Sequence, residues 1–484
     1  MHLRTLISID GSYGKEARER IFQAYEMARE AHQGQFRESG EEFIIHPIAV
    51  AEKLMELRMD SPLVIAGVLH DVIEDTDRSY EDIQERFGTE IADLVEGVTK
   101  LKKRRDVPRE VQKAENFKKL IKATLRDVRV VIIKLVDRLH NMRTLEYRSV
   151  SKQKQVGQET LDIYVPIAYN LGMNGIGREL EELSLKYLYP EDYYKVTDRI
   201  HMIMEMKKSQ VQEAMLRISR MAGRQIQELS WEPLCYSDLY NNRREHRQAA
   251  QWLPVYFDIT ATVGEKKDCY LVLGEVHRQF LPFDSEFHDT NTSNHVRLFE
   301  GVTTMLLDTY GNIFRVRIVP QEAREAWWLG VAALWDYDRI PYEQIRRKID
   351  LKWLSNIFSW AKSVKNGEEY LASLKMELNI YASSIRCFDE NGRCLNLPEG
   401  AYILDYVYER DEKLADTFAG ALVNRQEVDL SYRIQDGDMI ALKFDGSRHG
   451  PEKIWLNYVA TNSARYSILE ALYGQQYGGS AGRE

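Results

Sequence analysis

A chain of 484 residues with 44% apolar, 29% charged and 10% aromatic residues has the composition of a soluble globular protein, too long for one core and suggesting roughly three domains. Its formal charge of −9 excludes a protein whose main business is coating nucleic acid, DNA included, while leaving room for a local basic pocket that takes a small anion. A cytoplasmic setting is expected, because the N-terminus has no apolar h-region, the longest apolar run (Val128 to Val136) is broken by Arg129 and Lys134, and Cys235, Cys269, Cys387 and Cys394 form no CxxC pair.

In chain order, Ile21, Ala24, Tyr25, Ala28 and Ala31 recur at helical spacing between Lys15 and His32, and GQFRESGEEF then breaks the pattern. A helix restarts after Pro47, with His46 just before it. The stretch Gly67–Thr76, GVLHDVIEDT, reads as one apolar helix on which His70 stacks over Glu74 and Asp71 over Asp75. Burying such groups is costly without compensation, and a divalent cation held by His70 and Asp71 supplies it, leaving the second acidic pair to handle a water. An exposed acidic helix end with an incidental histidine is the alternative. Asp82 to Leu101 reads as further amphipathic helix. The basic run Lys102, Lys103, Arg104 and Arg105 reads as solvated surface, while Lys118, Lys119 and Lys122, with Asn116, are candidates for a phosphate-attracting rim.

DVRVVIIKLVDRLHNMRTL begins with a β-branched run that favours a strand by propensity. Read as a helix, it puts Lys134, Asp137, Asn141 and Thr144 on one face, an acidic ligand with three substrate contacts. A buried strand leaves Asp137 without a reason to interrupt so apolar a run. His46, His70, Asp71 and Asp137 then make a mixed nitrogen and oxygen set suited to manganese, iron or another octahedral-leaning divalent ion.

This constellation resembles the HD phosphohydrolase superfamily. The strings RESGEEFIIHP, GVLHDVIEDT, FGTEIADLVEGVTKL, AENFKKL, IKLVDRLHNMRTL and ETLDIYVPIAYNLGM resemble, in order, the hydrolase domain of the RelA/SpoT homologue family, over about residues 15 to 192. The resemblance implies an all-helical domain that binds Mn²⁺ and removes pyrophosphate from the 3′ position of ppGpp or pppGpp. It implies His46, His70, Asp71 and Asp137 as metal ligands and Glu74 and Asp75 as the pair that activates water. It also implies Arg37, Ser39, Asn141 and Thr144, with Lys134 and Arg138 beside them, as substrate contacts. Glu38 and Phe43 stand where the family usually has a basic residue and often Tyr, which keeps an adenosine analogue, (pp)pApp, in view as a substrate.

KDCYLVLGEVHRQFLPFDSEFHD and GVAALWDYD resemble the family's synthetase domain. Its Mg²⁺-binding aspartate falls on Val255, the glutamate of EVQIRT on Arg315, and NGYQSLHT becomes NHVRLFEG, so a pseudo-synthetase without synthesis is expected. GRCLNLPEGAYILDYVY and GALVNRQEVDLSYRIQDGDMI resemble the TGS domain, a β-grasp module; Asp411 stands in place of the family's histidine, which weakens a tRNA or ribosome contact. The expected architecture is multidomain: an all-α HD hydrolase over 1–195, a helical linker over 196–229, an α/β mixed-sheet pseudo-synthetase over 230–340, a helical connector over 341–380, a β-grasp TGS domain over 381–446 and a helical tail over 447–484. The reading from a different class is a non-enzymatic alarmone sensor acting through its C-terminal half, to which a water-activating pair would be of no use.

Overall fold

The computed structural model describes residues 12–101, 106–245, 255–283, 287–289, 301–349, 384–448 and 450–473, with scattered positions between 351 and 378. The basic run at 102–105, most of NHVRLFEG and half of the expected connector, Phe358 included, lie outside the described residues. The chain forms two compact units, residues 1–68 with 135–345 and residues 69–134 with 346–484; the three divisions fall inside the helices Ser61–Leu69, Arg129–Arg143 and Tyr342–Arg346.

In the first unit the Lys15–Ala31 helix buries Ile21, Ala24, Met27 and Ala28, one face at helical spacing. The next helix, Ile45–Glu56, begins earlier than the sequence suggested. Pro47 is accommodated in its first turn, where a missing N–H costs no hydrogen bond, so His46 lies inside the helix and not ahead of it. Arg129–Arg143 is helical throughout, against the strand propensity of its start. Val130 to Ile133, Leu135, Val136, Leu139 and Met142 are all buried, and burial on nearly every side overrides a weak local preference. Helices Val150–Glu159 and Val165–Asn170 join through a π-helical turn, Thr160–Tyr164, and are followed by Asn174–Leu188 and the 33-residue Pro190–Ala222.

The same unit contains a six-stranded mixed sheet: β1 (Ile226–Pro233), β2 (Val255–Val263), β3 (Leu281–Pro282), β4 (His288–Asp289), β5 (Val302–Leu307) and β6 (Ile313–Pro320). The order is β1-β2-β6-β5-β3, with β4 beside β5 and β2 parallel to β6. Phe257, Ile259, Ala261 and Val263 alternate onto one face, against Val211, Ala214 and Ile218 of the long helix and Val272 and Val276 of Lys266–Gln279. The opposite face carries Asp258, Arg315 and Arg317. The segment after β6 rests on the helical part of the unit: Val331 N donates to Leu171 O at 3.0 Å, and a Cβ on Gly330 (φ +60°) would come within 2.3 Å of the Gly172 carbonyl carbon. Only glycine fits there. Arg58 pairs with Glu325, and the Ser61 N–H donates to Asp338 at 2.7 Å.

In the second unit, the run expected as one helix from Asp82 to Leu101 is two, Tyr80–Phe87 and Thr89–Val98, broken at Gly88, whose φ of +90° no helix interior accepts. Arg109–Arg126 follows. The C-terminal sheet comprises β7 (Ser384–Asp389), β8 (Cys394–Pro398), β9 (Phe418–Val423), β10 (Gln426–Val428) and β11 (Asp438–Phe444), in the order β10-β9-β11-β7-β8 with β11 parallel to β7. Asn424 and Arg425, both at positive φ, make the two-residue turn between β9 and β10. The Ile403–Arg410 helix packs Ile403, Leu404, Tyr406 and Val407 into the sheet's core. Among the described residues no helix is long and apolar enough to cross a membrane.

Candidate metal centre and active site

The Arg129–Arg143 helix carries Asp137 into the interior at 5% exposure, while His46 and His70 are each 2% exposed. Each of the three offers a ligand atom, and these atoms lie within 4.8 Å of one another. Three buried polar donors brought so close are expensive without a common partner. Two imidazoles and a carboxylate fit a divalent metal ion of the borderline to hard class.

Asp71, the fourth expected ligand, stands outside that trio, with Oδ2 3.2 Å from His70 Nε2. The single helix expected over Gly67–Thr76 ends at Leu69; His70 and Asp71 form a turn, and Val72–Asp75 follows as a short helix with Asp71 in the position just before it. On a continuous helix the adjacent pair would be splayed about 100° around the axis, a constraint that the turn releases. Glu74 and Asp75 emerge exposed. Lys100, the lysine of GVTKL, holds Glu74 from both ends: its Nζ donates to Oε1 at 2.8 Å and its backbone N–H to Oε2 at 3.3 Å.

A second layer surrounds Asp137 and His46. Asn141 Nδ2 donates to Asp137 Oδ1 at 2.5 Å, one helical turn away, and His46 Nε2 lies 3.2 Å from the same oxygen. Arg37 reaches from the loop before His46 and donates to Asn141 Oδ1 at 2.9 Å and to His140 Nδ1 at 3.1 Å. His46 Nδ1 is 2.9 Å from that same nitrogen of His140. Burial, then His46 and Arg37, push the His140 pKa down to about 3 against the pull of Asp137, so its ring is neutral. Phe43 stacks on His32 and meets His46 edge-on.

Arg37 and Asn141 thus stand beside the cluster. Of the other expected substrate contacts, the Ser39 hydroxyl donates to Glu41, the Thr144 hydroxyl donates to the His140 carbonyl, and Lys134 is buried on the Asp137 helix. Arg138 is sunk against the Tyr164 ring and paired with Glu159 at 2.7 Å. In the expected phosphate rim, Lys119 pairs with Glu96, Lys118 lies over the Tyr370 ring and Asn116 accepts from Leu101 N. Sequence reasoning missed His140, Lys100 and the Glu38–Arg148 ion pair. The first two lie inside the motif strings themselves, and i, i+3 spacing from Asp137 was a signal for His140.

On the polar face of the first sheet, Asp258 is buried and accepts from Arg315 Nε and Nη2 at 2.8 and 2.7 Å and from Arg317 Nη2 at 2.6 Å. Burial pushes its carboxyl up, but Arg317 and Arg315 outweigh that and hold it below the usual carboxylate range. Asp258 is directly opposite Arg315 in the β2–β6 register.

The HD domain family matches residues 24–174 and the TGS domain family residues 385–443. The chain is 33% identical over 461 residues to a bifunctional (p)ppGpp synthase/hydrolase SpoT of Escherichia coli strain K12, which covers 94% of this chain and 64% of that protein. It is 32% identical over 467 residues to a guanosine-3′,5′-bis(diphosphate) 3′-pyrophosphohydrolase of Aquifex aeolicus, 95% of this chain and 65% of that one. The figures for the protein so described from Haemophilus influenzae are 33% over 458 residues, 92% and 66%. The chain therefore spans just under two thirds of the length of these relatives.

Proposed function

We propose that this chain, which carries an HD domain and a TGS domain and has SpoT/RelA-type relatives, hydrolyses the 3′-diphosphate of ppGpp and pppGpp to GDP or GTP and pyrophosphate and does not synthesise them. The observation that carries this reading is the buried His46–His70–Asp137 cluster with Arg37 and Asn141 at its edge. A divalent ion, with Mn²⁺ the one we favour, supplies Lewis acidity toward a phosphate oxygen and makes water acidic at neutral pH. His46, His70, Asp71 and Asp137 would hold it. Glu74, fixed by Lys100, takes the proton of the attacking water, and Asp75 orients that water. Arg37 and Asn141 grip the nucleotide phosphates, Arg37 through its planar fork, with Ser39, Thr144 and Lys134 as further contacts, while Arg138 is engaged by Glu159 and the Tyr164 ring.

The lack of synthesis rests on residue identity. Phosphoryl transfer needs metal-holding carboxylates and free cations around the spreading charge. The middle sheet instead commits Asp258 to Arg315 and Arg317. We assign residues 230–340 as a pseudo-synthetase and place the protein in the cytoplasm, with the TGS domain as a contact for a regulatory protein or for the ribosome and tRNA.

The purified 484-residue chain should release pyrophosphate from ppGpp and pppGpp with Mn²⁺, lose that activity in chelator, and form no alarmone from ATP plus GDP. Turnover in chelator would overturn the metal assignment, and product from ATP plus GDP the monofunctional one. Glu38, paired with Arg148 next to Arg37, puts ppApp in the same panel; preference for it would move the substrate to an adenosine alarmone while leaving the chemistry intact.

A further inference from the structure

The structure assigns His140 as a positioning residue whose Nδ1 lone pair, fixed by Arg37, dictates which nitrogen of His46 carries the lone pair that would bind a metal ion. The inference rests on the metal site proposed above but not on its substrate.

Three ring and guanidinium nitrogens meet at one point. Arg37 Nη1 lies 3.1 Å and His46 Nδ1 2.9 Å from His140 Nδ1. Ring hydrogens are not placed by heavy-atom positions, so the protons follow from what each partner is able to do. A guanidinium only donates. His140 Nδ1 must therefore accept, and its ring proton sits on Nε2. Two acceptors cannot face each other at 2.9 Å, so His46 Nδ1 must carry the proton and donate it. A neutral imidazole with its proton on Nδ1 has its lone pair on Nε2. That is the His46 nitrogen lying 3.2 Å from Asp137 Oδ1, so the two facing acceptors call for a cation as their common partner.

The sequence of constraints runs one way because only its first member has no choice. Arg37 fixes His140, His140 fixes His46, and His46 presents the ligand atom. Arg37 also donates to Asn141, which donates to Asp137, so one guanidinium braces two metal ligands through two intermediaries. Partners of this kind commonly set metal affinity within a factor of about 10 to 100. The placement also links the two halves of the site, since Arg37 is a proposed phosphate-binding group.

The test is Mn²⁺ affinity of the full chain without nucleotide, from free Mn²⁺ by electron paramagnetic resonance, for the near-isosteric pair His140→Asn and His140→Leu. Asn Oδ1 stands where His Nδ1 stood and accepts from both Arg37 and His46; Leu cannot. The expected result is a dissociation constant about 10- to 100-fold weaker in His140→Leu and recovered to within a few-fold in His140→Asn. Wild-type affinity in the Leu variant, or equal weakening in both variants, would overturn the assignment in favour of simple packing. Arg37→Met, in a loop side chain whose loss leaves the core intact, keeps the idea testable if the Leu variant does not fold. Weaker Mn²⁺ binding in Arg37→Met supports the relay, and unchanged Mn²⁺ binding overturns it. Because no nucleotide is present, an error about the alarmone substrate leaves these results readable.

Discussion

At the scale of single residues, Glu74 is the group whose role depends most on its neighbour. An exposed carboxylate on the last turn of a short helix has little to fix its rotamer, yet Lys100 engages both of its oxygens. The Glu74→Gln variant should lose about 10²- to 10⁴-fold in kcat, the usual contribution of a general base, while binding Mn²⁺ as well as wild type. Lys100→Met should give a smaller fall, about 10-fold, again with metal affinity intact, because the carboxylate remains and only its bearing is lost. A pair of variants with normal kcat would remove the proton-accepting role from Glu74. The identities of the metal-cluster residues were legible in the sequence because His and Asp seldom interrupt an apolar run unless a partner compensates their burial. His140 and Lys100 were not singled out, because a residue that acts by touching another side chain shows its role only once both partners are placed.

Among elements, local patterns gave helix existence well and helix ends poorly. One apolar run concealed the turn at His70–Asp71, and another concealed the break at Gly88; each depends on packing that spacing does not encode. The β2–β6 pair shows the same limit, because the juxtaposition of Asp258 with Arg315 needs the register of two strands far apart in the chain. That pairing has a cost when broken. Asp258→Asn would leave two half-buried guanidinium groups short of their buried counter-charge, a change expected to destabilise by about 1 to 3 kcal/mol. Its pH dependence has a definite sign. The folded pKa of Asp258 lies below the unfolded value of about 3.9, so between the two the unfolded state binds more protons and stability rises with pH. The contribution is complete above that unfolded value and is lost as pH falls through the folded one. Urea unfolding of wild type and variant should therefore differ most near neutrality and converge in acid below about pH 4. Equal stability at pH 7 would show that the ion cluster contributes nothing net.

For the whole molecule, the metal centre draws its donors from three segments far apart in sequence, the helices or turns holding His46, His70 and Asp137. An ion bound by the folded chain alone must then stabilise whatever holds those segments in place, by RT ln(1 + [L]/Kd), about 2.7 kcal/mol at a hundredfold excess over Kd. The C-terminal sheet has its own buried core, around Leu404, Tyr406, Val407, Phe418 and Ile440, and none of the cluster's ligands. Hydrogen exchange followed by mass spectrometry should accordingly show Mn²⁺ slowing exchange in the 45–56 and 129–143 helices and leaving 385–443 unchanged. Asp137→Asn should abolish the slowing, since an amide is a far weaker ligand than the carboxylate it replaces. Slowing that persists in Asp137→Asn would mean that the ion binds elsewhere. Slowing spread equally over 385–443 would mean that the TGS domain responds to the ion as well, and that its buried core does not insulate it from the cluster.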